Sequence, residues 1–152
     1  IAAKAIAFRE ALQPSFKTYA QQVVKNAAAM AEVFTEGGVR LITGGTSNHL
    51  ILADVWGSLG ISGHDAETLL DRAGMTLNKN AIADDTRKPL DPSGIRFGTP
   101  AMTTRGLTEE DARDVARTML EVLTKRDDAT VESAKGRIKE LAEKHPVPES
   151  FV

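Results

Sequence analysis

The sequence predicts a two-layer α/β domain, α+β-like, with a small, mostly antiparallel sheet and helices packed on one face. Three observations lead there. Apolar residues recur every three or four positions near both ends of the chain, as amphipathic helices require. Between those stretches the period changes to short apolar runs bounded by glycine and other turn formers, which read as strands. The first two runs are separated only by the turn-rich GGTSN, so a hairpin opens the sheet, and the strands are too few and too short for a long parallel array.

Each element follows in order. A first helix covers Ile1 to Leu12 and stops before Pro14, which lacks the donor an interior turn needs. A second runs from Ser15 to Glu36, with Phe16, Ala20, Val23, Ala27, Met30 and Phe34 forming one stripe, and Gly37–Gly38 end it. VRLIT (Val39 to Thr43) and HLILAD (His49 to Asp54) are the hairpin strands. Ser62 caps a short helix whose inner face is Ala66, Leu69, Leu70 and Ala73, closed by Gly74. MTLN (Met75 to Asn78) reads as a third strand and GIRFG (Gly94 to Gly98) as a fourth. The stretch from Lys79 to Ser93 between them is a long loop of the kind that more often serves a function than none. Thr99–Pro100 starts a helix, and Thr108 with Asp111 opens a stronger one with the stripe Ala112, Val115, Ala116, Met119, Leu120 and Leu123. A last helix from Thr130 to about Lys144 buries Val131, Ala134, Ile138 and Leu141. The chain divides into entering helices (1–36), sheet and ligand loop (37–107) and C-terminal helices (108–152).

Composition removes several classes of function. The 152 residues are 41% hydrophobic and 26% charged, ordinary for one globular domain with its own core. Nineteen basic and twenty-one acidic side chains leave a net charge of −2, with no basic patch for nucleic acid or an anionic membrane. There are no cysteines, so disulfides, thiolate catalysis and sulfur-ligated zinc are excluded. His49, His64 and His145 lack metal-ligand spacing, and no metal site is expected. No apolar run suits a membrane span or signal peptide, and a cytoplasmic location is expected. The chain opens as IAAKAIAF, already inside a helical pattern and without an initiator methionine, so a piece of a longer polypeptide is expected.

The chemistry concentrates in PSGIRFGTPAMTTRG, Pro92 to Gly106. On a pleated strand Ile95 and Phe97 share one face and Arg96 takes the other. A guanidinium placed so needs an anion, and its planar fork suits a carboxylate. From the strand alone it is a structural ion pair, a solvated edge-strand arginine, or a ligand clamp.

SGIRFGTPAMTTRG is similar to the segment of serine hydroxymethyltransferases that grips the amino-acid substrate's carboxylate. IAAKAIAFREALQPSFKTYAQQVVKNA, LITGGTSNHLILAD and LLDRAGMTLNKNAIADD resemble three further blocks of that family in order and spacing, from Ile1 to about Leu123. The resemblance implies the C-terminal small domain of a fold-type I pyridoxal-phosphate enzyme, a homodimer or tetramer in full length. Such an enzyme interconverts serine and glycine with tetrahydrofolate, in one-carbon and amino-acid metabolism. It also implies roles for single residues: Arg96 as the carboxylate clamp, Asn80 as a hydrogen-bonding partner of the folate's pterin ring, and Lys88, Pro89 and Leu90 as lining of the folate site. The family commonly has Ser-Pro-Phe at the last three positions, so here no aromatic ring stands at position 90. The imine-forming lysine, the pyridinium-binding aspartate and the phosphate-binding residues belong to the family's large domain. No segment here matches them, and the isolated chain is expected to be inactive.

Other residues read as structural. His49 fits a satisfied histidine at a strand start, and Arg105 a partner for a helix end or carboxylate. Asp84 and Asp85, adjacent in a loop, point apart and read as turn chemistry. Lys79, read as exposed in the loop, has nothing to lower its pKa for imine chemistry. Two other functions fit the same residues: the small domain of a pyridoxal-phosphate aminotransferase, which would share the arginine but need no folate loop, and a non-catalytic α/β binding module.

Overall fold

The computed structural model, which describes residues 1–148, combines seven helices with a four-stranded sheet. In chain order the elements are α1 (Ala2–Ala11), α2 (Pro14–Glu36), β1 (Arg40–Leu41), β2 (Leu50–Asp54), α3 (Val55–Leu59), α4 (Gly63–Arg72), β3 (Asn78–Asn80), β4 (Gly94–Gly98), α5 (Pro100–Thr104), α6 (Glu109–Lys125) and α7 (Asp128–Lys144). The strand order is β1-β2-β4-β3, and every pairing is antiparallel. The α/β class and antiparallel sheet expected from the sequence are present.

Strand alternation fixes the two faces of the sheet. The register sets Ile51 against Phe97 and Ala53 against Ile95, with Leu41 beside Ala53, and all five are buried. They meet Met30, Phe34, Leu70, Met119 and Leu123 from α2, α4 and α6, while Val131 and Ala134 bring α7 into the same core. Phe34 and Phe97 touch with ring centroids 5.0 Å apart in a tilted arrangement, favoured by the ring quadrupoles over a flat stack. The alternate residues, Leu52, Arg96 and Asn78 in register, belong to the other face.

Helix ends follow the expected chemistry. α2 begins one residue earlier than Ser15, with Pro14 in its first turn, where a missing N–H costs nothing. The Ser62 hydroxyl accepts the Asp65 N–H at the start of α4, and Thr108 with Asp111 forms a complete capping box on α6. α7 begins two residues earlier than Thr130, because the Asp127 carboxylate accepts the Thr130 N–H at 2.8 Å.

Four expectations need correction. The third strand is Asn78–Asn80, not Met75 to Asn78: Met75 and Leu77 are buried, so their apolar signal reflects packing, and pairing begins only at Asn78. The first strand is cut to Arg40–Leu41 because the chain turns at once, the Gly44 N–H donating to the Leu41 carbonyl. Phe16 does not join the core stripe of α2; it is 41% exposed, and α1 before it buries no residue. α3 was not expected; the Asp54 carboxylate caps it by accepting the Gly57 N–H at 2.8 Å.

One buried polar cluster ties α2 to the chain leaving β4. The Asn26 amide, fully buried, donates to the Thr103 hydroxyl and the Leu107 carbonyl, both at 2.9 Å, and its carbonyl accepts from Gln22. The Thr99 hydroxyl, also fully buried, donates to the Val23 carbonyl at 2.7 Å. Every polar atom named is satisfied, which lets such a cluster fix one arrangement without an uncompensated desolvation cost. Its effect is to anchor the end of β4 just beyond Arg96.

Candidate functional site

Arg96 is exposed at the middle of β4, a central strand, on the face away from the packed helices. The buried neighbours Ile95 and Phe97 hold the strand, so the Arg96 Cα–Cβ bond points to the opposite face. Among the described residues its guanidinium has neither an ion pair nor a hydrogen bond, although arginines 40, 72, 87, 113, 117 and 137 all have carboxylate partners. Of the three readings open at the sequence level, the structural ion pair is therefore excluded among these residues.

Around Arg96 lie Leu52 on β2 and Asn78 on β3, directly opposite it in register. Asn80 stands on the same face, opposite Gly94. Its Cα and that of Arg96 are diagonal neighbours, roughly 7–8 Å apart in such ladders. Asn80 is half-buried and is the last residue of β3, not a member of the loop; its amide donates to the Ala81 carbonyl at 2.6 Å. Gly94 is required here. A Cβ at that position would lie 2.6 Å from the Ile82 side chain and 2.8 Å from the Asn80 carbonyl, so the chain after β3 folds directly over this end of the sheet.

Lys88, Pro89 and Leu90 are exposed at the outer part of the loop, Leu90 to 84%. The Asp91 N–H closes a turn onto the Lys88 carbonyl at 2.9 Å. Arg87, beside them, pairs with Asp91 and lies 4.0 Å above the Trp56 ring, a cation–π contact between the loop and α3.

The remaining candidates separate cleanly. Lys79 is in β3, on the helix-covered face opposite Ile95, where its ammonium meets Glu67 of α4 at 2.6 Å and its N–H donates to the same carboxylate at 3.0 Å. These two bonds from Lys79, outweighing the desolvation that opposes them, hold the Glu67 pKa below the usual carboxylate range. The lysine is thus tied down and faces away from Arg96. Arg105 donates to the Ala142 and His145 carbonyls, both at 2.6 Å, and so closes the C-terminal end of α7. His49 is exposed and its imidazole has no hydrogen-bond partner among the described residues, so the satisfied histidine expected there is not found; its contribution is the backbone carbonyl that accepts the Thr99 N–H. Asp84 and Asp85 do diverge: Asp84 is exposed and left-handed at φ 59°, while Asp85 turns inward. Sequence reading passed over Asn26, whose role shows only once α2 and the chain after α5 meet, and Trp56, whose partner is 31 residues away.

With this geometry in place, comparison with known proteins is decisive. The family model described as serine hydroxymethyltransferase matches residues 1–119, which include the whole sheet, the loop and Arg96. The chain belongs to the serine hydroxymethyltransferase family. It is 51% identical over 149 residues to the serine hydroxymethyltransferase of Lactobacillus acidophilus, covering 97% of this chain and 36% of that protein. The corresponding proteins of Polaromonas sp. (49% identical, 97% of this chain, 36% of that protein) and Xylella fastidiosa (51%, 97%, 35%) align over the same extent. The chain thus spans about a third of the length of these curated relatives. The family match ends within α6, and the curated relatives continue to match through nearly all of the rest. No helix among the described residues is long and apolar enough to cross a membrane.

Proposed function

We propose that residues 1–152 form the C-terminal small domain of a glycine/serine hydroxymethyltransferase, whose full-length form converts serine and tetrahydrofolate reversibly to glycine and 5,10-methylenetetrahydrofolate. The observation that carries this reading is the exposed guanidinium of Arg96, without a partner among the described residues, on the face of the sheet away from the core. The carboxylate of serine or glycine provides the missing anion, bound by two parallel N–H donors. Packing of Ile95 and Phe97 beneath the strand fixes the Arg96 backbone on this face, and the carboxylate would order the flexible side chain as it binds, presenting the substrate's Cα bonds in one orientation. Asn80 would offer its amide to the pterin ring of tetrahydrofolate, and Lys88, Pro89 and Leu90 would line the same site, with Leu90 supplying aliphatic rather than aromatic surface.

Pyridoxal 5′-phosphate supplies the electron sink of this chemistry. The described residues do not fit as its covalent anchor: Lys79, in the strand beside Arg96, is ion-paired to Glu67 on the opposite face. The chain is accordingly proposed to be inactive by itself. In the full-length enzyme it would contribute the carboxylate clamp and folate contacts to a cytoplasmic homodimer or tetramer serving one-carbon metabolism.

The experiment is folate-dependent formation of glycine from serine by the full-length enzyme, measured beside transamination. Glycine formation that is lost in Arg96→Ala and poor in Arg96→Lys is expected, since an ammonium lacks the planar fork. Transamination without any folate-dependent product would favour the aminotransferase alternative, and near-normal turnover of Arg96→Ala would remove the assigned role.

A further inference from the structure

The loop between β3 and β4 contains a carboxylate that the clamp does not use. Left-handed backbone at Asp84 swings Asp85 toward the inside of the loop. Its Oδ2 accepts the N–H groups of Ile82 (3.2 Å) and Ser93 (2.9 Å), and its Oδ1 accepts the N–H of Arg87 (2.9 Å) and the Ser93 hydroxyl (2.7 Å). The donors come from both limbs of the loop. Ile82 is two residues past Asn80 and lies over Gly94, while Ser93 is the residue before β4 begins. A simple turn needs one side-chain acceptor. One carboxylate taken up by four donors from Ile82 to Ser93 works as a clasp that closes the loop between the paired strands bearing Asn80 and Arg96.

We propose that Asp85 is a positioning residue for the folate site, closing the loop so that Asn80 and residues 88–90 keep their places relative to Arg96 before folate binds. The proposal rests on the folate reading of those residues given above. Because the Arg96 backbone is fixed by the strand and its buried neighbours and not by the loop, loss of the clasp should weaken folate binding and spare serine. A merely structural Asp85 would lower both together.

The test uses full-length enzyme with Asp85→Asn, which replaces one acceptor oxygen by an amide that faces donors. The KM for tetrahydrofolate should rise about tenfold, as the loss of one charged-acceptor hydrogen bond would give. The KM for serine and the folate-independent cleavage of a β-hydroxy amino acid should stay within about twofold of wild type. Hydrogen exchange should show the amides of Ile82, Arg87 and Ser93 losing protection. Ser93→Ala, which removes one of four donors and is mild enough to fold, should raise the folate KM roughly threefold. An unchanged folate KM despite exposed loop amides, or equal losses for folate and serine, would overturn the proposal. Wild-type enzyme with no folate dependence would remove the folate reading itself, and the proposal with it, before any variant is compared.

Discussion

The two faces of the sheet are built from the same strands and solve opposite problems. On the helix side Leu41, Ile51, Ala53, Ile95 and Phe97 are all buried against α2, α4 and α6, and stability is their only evident product. On the other side Arg96 is exposed, without a hydrogen bond or ion pair among the described residues, and Asn80 is half-buried beside it. Position alternates while the backbone is shared, so Arg96 and Phe97, adjacent in sequence, should respond to substitution in unrelated ways. The packed face fixes the side on which Arg96 leaves the strand, and on that side its guanidinium meets no carboxylate among the described residues. That division is why a strand of five residues both belongs to the core and exposes a guanidinium.

The largest contrast should come from these neighbours. Arg96→Ala should lower kcat/KM for serine in the full-length enzyme by about 100-fold to 10,000-fold, the loss of two charged hydrogen bonds. The unfolding free energy of the same variant should change by no more than about 0.5 kcal/mol, as for other exposed positions. Phe97→Ala should do the reverse in kind, costing about 3–5 kcal/mol in denaturant unfolding by emptying the space against Phe34. Similar stability losses for both variants would break the comparison.

The buried amide at the rim is the next largest expectation. Asn26→Ala leaves the Thr103 hydroxyl and the Leu107 carbonyl without their donor, and unfolding should become easier by about 1–3 kcal/mol. If the end of β4 is anchored through this cluster, the serine KM should rise as well, by less than in Arg96→Ala.

Acid sharpens the comparison because the loop depends on charge and the apolar packing of the other face does not. Burial tends to raise the Asp85 pKa, but the N–H groups of Ser93, Arg87 and Ile82 and the Ser93 hydroxyl outweigh it and lower the value from 3.8 to about 2. A group depressed in the folded state contributes stability that is fully present above its ordinary value and lost as pH falls through the folded one. Loop amides should thus keep their exchange protection at pH 5 and lose it between about pH 4 and pH 2. The smallest effect expected is that of Glu67→Gln, which weakens a half-exposed pair with Lys79 and should cost no more than about 1 kcal/mol.

Much of this architecture was legible in the sequence because its signals are local. The capping box at Thr108 and Asp111, the proline at the start of α5 and the alternation in GIRFG each act within a few residues, and each is present as read. The misplaced third strand shows the limit: Met75 and Leu77 are apolar for packing, and only the presence of β4 alongside Asn78 decides where pairing starts. The side on which Arg96 would stand followed from pleat geometry, but whether an acid would neutralise it depended on every other element. Asp85 was read as turn chemistry because its donors at Arg87 and Ser93 are backbone groups, which a sequence does not distinguish from any others.

The most direct measurement compares serine with its amide, which lacks the carboxylate charge, in wild-type and Arg96→Ala full-length enzyme. If the guanidinium grips that carboxylate, wild type should favour serine by about 100-fold or more in kcat/KM, and the preference should collapse toward unity in the variant. An equal preference in both proteins would contradict it, because the acid group would then be recognised elsewhere.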